Sequence, residues 1–469
     1  MSKRIFLVSA NRSVSMLDSM QASVSKVSIA GALVYEPWDY PEWKQENTSV
    51  DTWGWMQIAT ERIAAIFDVK NYERALELIL KDERVYFLFE RHFGCGWDKS
   101  SFNNVGRIEN VVWNSLAIIE FARPDVIFFS APPHNPISWI FGRVAEIMDK
   151  ETLMLSVSPF FHLKWLVRGL DLQQPVYVRR SQQSSVHNSV LSFFEKTRST
   201  YRRGAPLYSR AALGNIWNWR RELIYLLKSR PSNYQIKLKR LCLKYSLFKR
   251  YEALATPFKI EGNYFVFFMH YQPEGTTLPY GLSFCQQWLA VSRLRISLPE
   301  NVTLVVKEHP GIYTRELFRP AVRDSYLYEN INRLPNTVLA PLGYDSFDLI
   351  DGAVGVATIT GTAGFQSIIR GKPAIVFGCA PYRGFPNVFA VKSVSDICYA
   401  YESIRSNNVV CDNEKIEVAA VSVQEISYGE DDACETEWFS PRYYEKCLNS
   451  AIRDLNENDW MFQDFILPL

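Results

Sequence analysis

Residues 123–136 read RPDVIFFSAPPHNP, and this stretch decides how the first part of the chain folds. Its centre, Asp125–Ser130, has the apolar run of a buried strand, and the segment before it, Val111–Ala122, has a helical pattern that ends at a proline. The Pro-rich loop leads to a predicted helix over Ile137–Asp149 and a strand over Thr152–Ser156. Strands that are apolar on both faces and alternate with helices indicate a parallel sheet covered on both sides.

The same alternation occurs at two other places. A strand at Arg4–Ser9, followed by a possible helix, begins it at the N-terminus, so residues 1–165 are predicted to form a Rossmann-like domain. The alternation of strands and helices restarts with a strand at Tyr264–Met269, which predicts a second doubly wound domain over 261–410. Residues 411–469 are predicted to be an extension that packs back on the domains. Open α/β sheets bind ligands at the carboxyl ends of their strands, so we expect two such domains facing a cleft.

The charge of the chain is near zero in total but unevenly distributed. Lys and Arg number 52 and Asp and Glu 50, whereas residues 161–260 alone contain 20 Lys and Arg against 4 Asp and Glu. Aromatic and aliphatic residues interleave with these cations, as in amphipathic helices with a basic face. We predict a basic helical segment over 166–260 that contacts anionic lipid, in preference to a solvated linker or a nucleic-acid site.

Several classes of protein lack their signature in this sequence. The N-terminal apolar run is too short for a secretory signal, and no window approaches the roughly 20 apolar residues of a membrane span. Eight cysteines are scattered without metal-ligand spacing, so we expect reduced thiols, no metal site and a cytoplasmic protein. P-loop, G-x-G-x-x-G and D-x-D motifs are absent.

The first polar loop of the second domain, His270–Thr277, follows a predicted strand. It contains Glu274, a candidate nucleophile or general base. The alternative is that Glu274 is a solvated loop acid and that a threonine caps the next helix.

The second loop is Lys307-Glu-His-Pro310. His309, with Lys307 beside it and Pro310 stiffening the loop, is predicted to contact a phosphate, unless it caps a turn. Glu308 is a second candidate for the catalytic carboxylate.

The third loop, Thr360-Gly-Thr-Ala-Gly-Phe365, precedes a helix. Its glycines let a ligand approach the backbone, and the helix N-terminus offers N–H groups to a phosphate. The predicted ligand residues are Thr360, Gly361, Thr362 and Gly364.

The first domain offers a weaker set of candidates at its strand ends. They are predicted to bind an acceptor, or else to form turns in water: Asn11, Arg12, Ser13 and His134.

These motifs, together with Asp345–Asp351 and Arg370-Gly-Lys-Pro373, resemble the bacterial capsule polysaccharide biosynthesis family, the group around the capsule transferases that add Kdo to a lipid anchor. The resemblance covers about a quarter of the chain. It implies a GT-B glycosyltransferase that uses no metal or cofactor, with the sugar nucleotide on the C-terminal domain and the acceptor on the N-terminal one.

The resemblance also implies roles for particular residues. His309 and Pro310 would contact the donor phosphate, the Thr360–Gly364 turn would hold phosphate or sugar, and Glu274 would be the nucleophile of a retaining transfer. Gln272 and Lys307 join this donor-binding set. Glu274 stands where the Kdo enzymes have Asp, and Lys-Glu rather than Lys-Pro precedes the His-Pro pair.

We therefore expect a transferase of capsule or lipopolysaccharide biosynthesis at the inner face of the inner membrane. It would transfer a sugar to a glycan or lipid-linked acceptor, with CMP-Kdo favoured over a UDP-sugar as donor. The alternatives are a CDP-polyol phosphotransferase of teichoic-acid type and a non-catalytic scaffold on the membrane surface.

Overall fold

The computed structural model describes most of the chain. These are residues 3–8, 27–34, 51–65, 67–93, 101–160, 163–171, 174–178, 188–199, 217–227, 234–259, 262–272, 276–314, 323, 326–406, 412–429 and 441–466. The helix suggested after the first strand, the acceptor candidates Asn11, Arg12 and Ser13, and the candidate Glu274 lie outside them.

By its internal contacts the chain divides into two compact units, which we call unit 1 and unit 2. Unit 1 comprises Met1–His187 and Ser422–Leu467, and unit 2 comprises Asn188–Val421 with Pro468–Leu469. Each is a Rossmann-like α/β unit. Because the GT-B fold consists of two such units, the predicted fold class is confirmed. The cleft expected between them stays a prediction.

Unit 1 is built on a central parallel sheet with helices between its strands. Its strands before residue 188 are β1 (Lys3–Val8), β2 (Val27–Val34), β3 (Thr52–Gly54), β4 (Val126–Phe129), β5 (Glu151–Val157), β6 (Lys164–Arg168) and β7 (Gln174–Tyr177). Its helices there are α1 (Trp55–Thr60), α2 (Val69–Lys81), α3 (Glu83–Phe93), α4 (Ser101–Ala122) and α5 (Pro136–Ile147). Strands β3, β2, β1, β4 and β5 pair in parallel, as the apolar runs predict.

Unit 2 has a six-stranded sheet whose strands are all parallel, in the order β10-β9-β8-β11-β12-β13. These strands are β8 (Tyr264–Phe268), β9 (Thr303–Lys307), β10 (Thr337–Leu339), β11 (Gly355–Thr358), β12 (Ala374–Val376) and β13 (Val388–Ala390). The helices are α6 (Asn188–Ser199), α7 (Trp219–Leu227), α8 (Tyr234–Leu254), α9 (Gln287–Ser297), α10 (Gly311–Thr314), α11 (Leu327–Asn332), α12 (Ser346–Gly352), α13 (Thr362–Ile369), α14 (Val394–Arg405) and α15 (Asn413–Glu425).

The chain then returns to unit 1 through β14 (Ser427–Tyr428), α16 (Pro441–Glu457) and β15 (Gln463–Asp464). β6 and β7 extend the first sheet in antiparallel fashion, and β14 and β15 pair with them. On one face of the sheet, Leu448 and Ile452 of α16 lie in the same buried cluster as Ile5 and Leu7 of β1.

These pairings differ from the boundaries expected from the sequence. Unit 1 continues past residue 165 because β6 and β7 belong to its sheet. The described parts of the basic segment from α6 onward belong to unit 2, where Leu247, Phe248 and Tyr251 of α8 lie in its core. Among the described residues, no helix is long and apolar enough to cross a membrane.

Candidate functional site

The three polar loops of unit 2 follow three neighbouring strands. β9 ends before His309, β8 ends before His270, and β11 ends before the turn at Thr360. The strands pair in parallel in the order β9-β8-β11, so their carboxyl ends lie at one edge of the sheet. Neighbouring strands are about 4.8 Å apart, so the outer two loops are separated by roughly 10 Å.

The imidazole of His270 lies between these loops and shapes the glycine turn. Its Nε2 lies 2.9 Å from Thr358 Oγ1 and accepts the backbone N–H groups of Ile359 and Thr360, each at 3.2 Å. Burial, aided by electrostatic repulsion from the nearby His309 and Arg323, lowers the pKa of His270 to about 3. His270 is therefore neutral and acts as a hydrogen-bond acceptor, a role that the motif alone did not suggest.

The turn itself needs glycine because it is tightly enclosed. A Cβ on Gly361 would lie 2.7 Å from Thr358 Oγ1 and 3.0 Å from Cε1 of His270. The Thr360 hydroxyl donates to the Thr276 carbonyl at 3.2 Å, and the Tyr382 hydroxyl donates to the Gly361 carbonyl. These bonds hold the turn that leads into α13.

α13 begins at Thr362, which is exposed. Its N-cap residue is Gly361, which has no side chain to cap the helix, and the N–H groups of Gly364 and Phe365 bond the Tyr382 hydroxyl. The first N–H groups of a helix, here those of Thr362 and Ala363, together with the helix dipole favour an anion. This end of α13 has the chemistry of a phosphate site, and the binding predicted for Thr360, Gly361, Thr362 and Gly364 stays a prediction, since the N–H groups of Thr360 and Gly364 are bonded within the protein.

His309 is the half-buried side chain of the second loop. Its main-chain N–H donates to Glu308 Oε1 at 2.6 Å, and its Nδ1 accepts the N–H of Gly311 at 3.0 Å. Because Nδ1 is an acceptor, the proton of the neutral ring is on Nε2, which makes Nε2 the donor atom. Pro310 and Gly311 lead directly into α10, which begins at Gly311, and a Cβ on Gly311 would lie 2.7 Å from His309 Nδ1.

Glu308 does not have the exposed carboxylate that an acid or base needs. It is 0% exposed, and it is bound by both Nε and Nη2 of Arg323, at 2.8 and 2.9 Å. The Tyr328 hydroxyl donates to it at 2.7 Å. With its oxygens occupied, Glu308 fixes the backbone of His309, which corrects its predicted role as a catalytic carboxylate.

Arg323 is a site residue that the sequence motifs did not reveal. It is buried, and besides Glu308 it bonds the His270 carbonyl at 2.7 Å and Gln272 Oε1 at 2.9 Å. Although burial lowers the pKa of Arg323, the Glu308 carboxylate outweighs that effect and holds the pKa above its ordinary value. Arg323 thereby joins the loop after β8 to the loop after β9.

Gln272 and Lys307 are placed differently from their predicted role in donor binding. The Gln272 side chain accepts from Arg323 and donates to the Cys285 carbonyl at 3.0 Å. Lys307 is buried and its Nζ donates to the Leu342 carbonyl at 3.0 Å, while burial lowers its pKa to about 8. Both side chains hold neighbouring loops, which makes them positioning residues.

A cavity of about 640 Å³ lies beside the loop that Lys307 holds. Aromatic side chains form much of its wall, and Pro341, Leu342 and Gly343, just after β10, close one side. The aromatic lining residues are Trp217, Trp219, Tyr245, Phe248 and Tyr251. Tyr251 connects the cavity to the second loop, because its hydroxyl accepts the N–H of Glu308 at 3.1 Å.

His134 is the one acceptor candidate of unit 1 that the structure describes. It follows β4, its Nδ1 lies 3.1 Å from the Pro132 carbonyl, and burial lowers its pKa. The adjacent Asn135 caps α5 through the N–H of Ser138 at 2.9 Å. No group of three or more His, Cys, Asp or Glu side chains in the described part of the chain is placed to hold a metal ion.

Residues 283–385 match the family model described as capsule polysaccharide biosynthesis protein. The match contains Glu308, His309, Arg323 and the turn at Thr360, and it confirms the predicted resemblance over about a fifth of the chain. No curated protein sequence is similar enough to count as a relative.

The chain is also similar to several solved structures. One is the KpsC β-Kdo 2,7-transferase of Thermosulfurimonas dismutans, at 13% identity over 67% of this chain and 85% of that chain, with a TM-score of 0.27. Another is the UDP-GlcNAc 2-epimerase of Methanocaldococcus jannaschii in complex with UDP-GlcNAc and UDP, at 11% identity, 88% and 97% coverage, and a TM-score of 0.25. TM-scores this low do not bear on the site.

Proposed function

We propose that the protein is a glycosyltransferase of capsule or lipopolysaccharide biosynthesis that uses a nucleotide-activated sugar, with CMP-Kdo favoured over a UDP-sugar. The observation that carries this proposal is that His309 and the N-terminus of α13 follow strands whose carboxyl ends lie at one edge of the unit 2 sheet. The family match spans both features. The acceptor is a glycan or a lipid-linked glycan reached at the inner face of the inner membrane.

The geometry suits the departure of a nucleoside phosphate. As the bond between the anomeric carbon and the phosphate oxygen breaks, negative charge grows on the phosphate. The Nε2–H of His309 and the first N–H groups of α13 stabilise that charge, without a metal or a cofactor in our proposal. The acceptor hydroxyl oxygen forms the new bond to the anomeric carbon and gives up its proton.

Glu274 remains the carboxylate candidate, since the oxygens of Glu308 are occupied within the protein. Its assignment rests on the family resemblance. In a retaining reaction its carboxylate displaces the nucleoside phosphate from the anomeric carbon, and the acceptor oxygen then displaces the carboxylate, which takes the hydroxyl proton. In an inverting reaction it takes the proton of the acceptor hydroxyl while the acceptor oxygen displaces the phosphate directly.

The aromatic cavity offers a site for the nucleoside. It borders the chain after β10, and β10 pairs with β9, the strand that leads to His309. We therefore assign the nucleoside to this cavity when the phosphate is at His309. Aromatic side chains stack on flat rings at little cost in conformational entropy. Changing Tyr245 to Ala is expected to weaken CMP binding about tenfold and to leave the binding of inorganic phosphate unchanged, as calorimetry would show.

The reaction is tested by incubating the protein with CMP-Kdo, UDP-sugars and CDP-glycerol and measuring nucleotide release. His309→Ala and Glu274→Gln should each reduce release by about 10²-fold or more. Glu300→Gln, an exposed carboxylate before β9, is the matched control and should retain wild-type activity. Release from CDP-glycerol alone would instead indicate the teichoic-acid type of phosphotransferase, and wild-type polymer in cells carrying either site variant would indicate a scaffold.

A further inference from the structure

Helix α7 buries its acidic residue and exposes several apolar residues. Glu222, its only acidic residue, is 5% exposed, whereas Leu223, Ile224 and Leu227 are 56, 52 and 65% exposed. A surface helix of a globular protein normally has the reverse arrangement. A helix of this kind needs an apolar environment on its outer side.

A buried ion pair fixes this orientation. Glu222 Oε1 accepts from Nζ of Lys244 on α8 at 2.7 Å, and the two side chains are 6 and 3% exposed. The Lys244 ammonium also lies 5.6 Å from the centre of the Trp217 ring. Turning the leucines of α7 inward would break this pair and leave a charge buried alone, which is strongly unfavourable.

The sequence of α7 and α8 and their connection is rich in cations, and α8 exposes further apolar residues. On α8, Leu238 and Leu243 are 51 and 45% exposed. Between residues 217 and 259 the sequence has eleven Lys and Arg but only two Glu, one of which is the buried Glu222. Among the cations, Arg220 and Lys239 are exposed.

We propose that this α7–α8 surface, formed by the exposed residues of α7 and α8, docks on the anionic face of a lipid bilayer. Leu223, Ile224 and Leu227 enter the boundary between headgroups and acyl chains, and the surrounding Lys and Arg side chains contact the anionic headgroups. Aliphatic residues and an excess of cations on one surface favour lipid, because a membrane interface supplies both an apolar layer and negative charge. The inference does not depend on the reaction proposed above.

Flotation of the full-length protein with vesicles tests this inference. Wild-type protein should bind vesicles of phosphatidylglycerol and phosphatidylcholine and bind pure phosphatidylcholine far less, with binding that weakens as salt is raised. The double variant Leu223→Ser/Leu227→Ser should bind the anionic vesicles about tenfold or more weakly. The matched control is Ile296→Ser on α9, a side chain that is 69% exposed, and it should bind as wild type does.

A charge variant provides a second, independent measurement. Arg220→Gln/Lys239→Gln/Arg240→Gln should lose the preference for anionic vesicles while its circular dichroism is unchanged. The proposal is overturned if the wild type does not float with anionic vesicles, if the double leucine variant floats as well as the wild type, or if the protein binds RNA and not vesicles. It is also overturned if the leucines instead control self-association. The binding of CMP by the leucine variant is measured in parallel. Unchanged CMP binding would show that a change in vesicle binding is separate from the proposed reaction.

Discussion

Arg323 is the residue on which the arrangement of two site loops depends. Its guanidinium bonds Glu308, Gln272 and the His270 carbonyl, and its side chain is fully buried. Charge-assisted bonds of this kind are strong, but they leave a costly buried charge when one partner is removed. The position of the His309 backbone therefore rests on a buried ion pair.

A change of Glu308 to Gln tests this dependence. The substitution keeps the shape but leaves the guanidinium of Arg323 buried opposite a neutral amide, and we expect a loss of about 3–5 kcal/mol in the free energy of unfolding. The urea unfolding midpoint measures it. Equal midpoints for Glu308→Gln and the exposed control Glu300→Gln would show that the pair carries no stability.

His270 gives the protein a specific dependence on pH. Its pKa is about 3 in the folded protein and about 6.5 unfolded, so the unfolded chain binds the proton more readily. This contribution to stability is therefore complete above pH 6.5 and falls by about 1.4 kcal/mol per pH unit as the pH drops from there toward 3.

The pH dependence is measured by urea unfolding of the wild type and of His270→Gln between pH 7 and pH 4.5. The wild type should be more stable at pH 7, and its advantage should shrink by about 2–3 kcal/mol at pH 4.5, because only the wild type must keep this imidazole unprotonated. Parallel stability curves would contradict the role assigned to the ring. Other groups titrate in both proteins and cancel.

At the scale of the element, α7 is held to α8 by the pair of Glu222 and Lys244. Glu222→Leu alone should cost about 3–5 kcal/mol, because it leaves the ammonium of Lys244 buried. Adding Lys244→Met should restore most of that loss, since an apolar pair of similar volume replaces two desolvated charges. Urea midpoints of the two single variants and the double variant measure the coupling, and additive losses would contradict it.

The stretch after the first polar loop of unit 2 shows how a local pattern meets a tertiary constraint. The sequence over 282–298 reads as a single helix, but the structure has a 3₁₀ turn at Leu282–Cys285 followed by α9. The break leaves the Gln287 side chain bonded to both the N–H and the carbonyl of His270, at 2.8 and 3.2 Å. The helical pattern is interrupted just before Gln287, the residue whose side chain holds the backbone of His270.

At the scale of the whole molecule, unit 1 is completed by the C-terminal part of the chain. Leu448 and Ile452 of α16 are 0 and 1% exposed and lie in the core cluster of unit 1. β14 and β15 also pair with strands of its sheet. Unit 1 therefore cannot form its whole core before residues beyond 421 are present.

Changing Leu448 to Ala tests the closure of unit 1. The lost burial and the cavity left behind should cost about 2–5 kcal/mol. Limited proteolysis with peptide mapping should show faster cleavage within unit 1 while fragments of unit 2 stay protected. Arg453→Ala, an exposed change on the same helix, should have no effect. Equally faster cleavage of both units would indicate that α16 does not stabilise unit 1 in particular.

The sequence by itself determined the parallel strands and the position of the site loops. Buried parallel strands are continuous apolar runs, so the bounds of β8, β9 and β11 followed from local residues, and their carboxyl ends necessarily meet at one edge. The position of His309 and of the Thr360 turn at that edge followed for the same reason, and their binding of phosphate stays a prediction.

Only the tertiary structure decided what several of these side chains do. Glu308, Lys307 and Gln272 lie within or near the motifs, but their partners, such as Arg323 and the Leu342 carbonyl, come from distant parts of the chain. The antiparallel edge of unit 1 likewise depends on strands separated from it by more than 250 residues. A polar side chain takes its role from whatever is buried opposite it, and that neighbour is set by the packing of the fold rather than by local sequence.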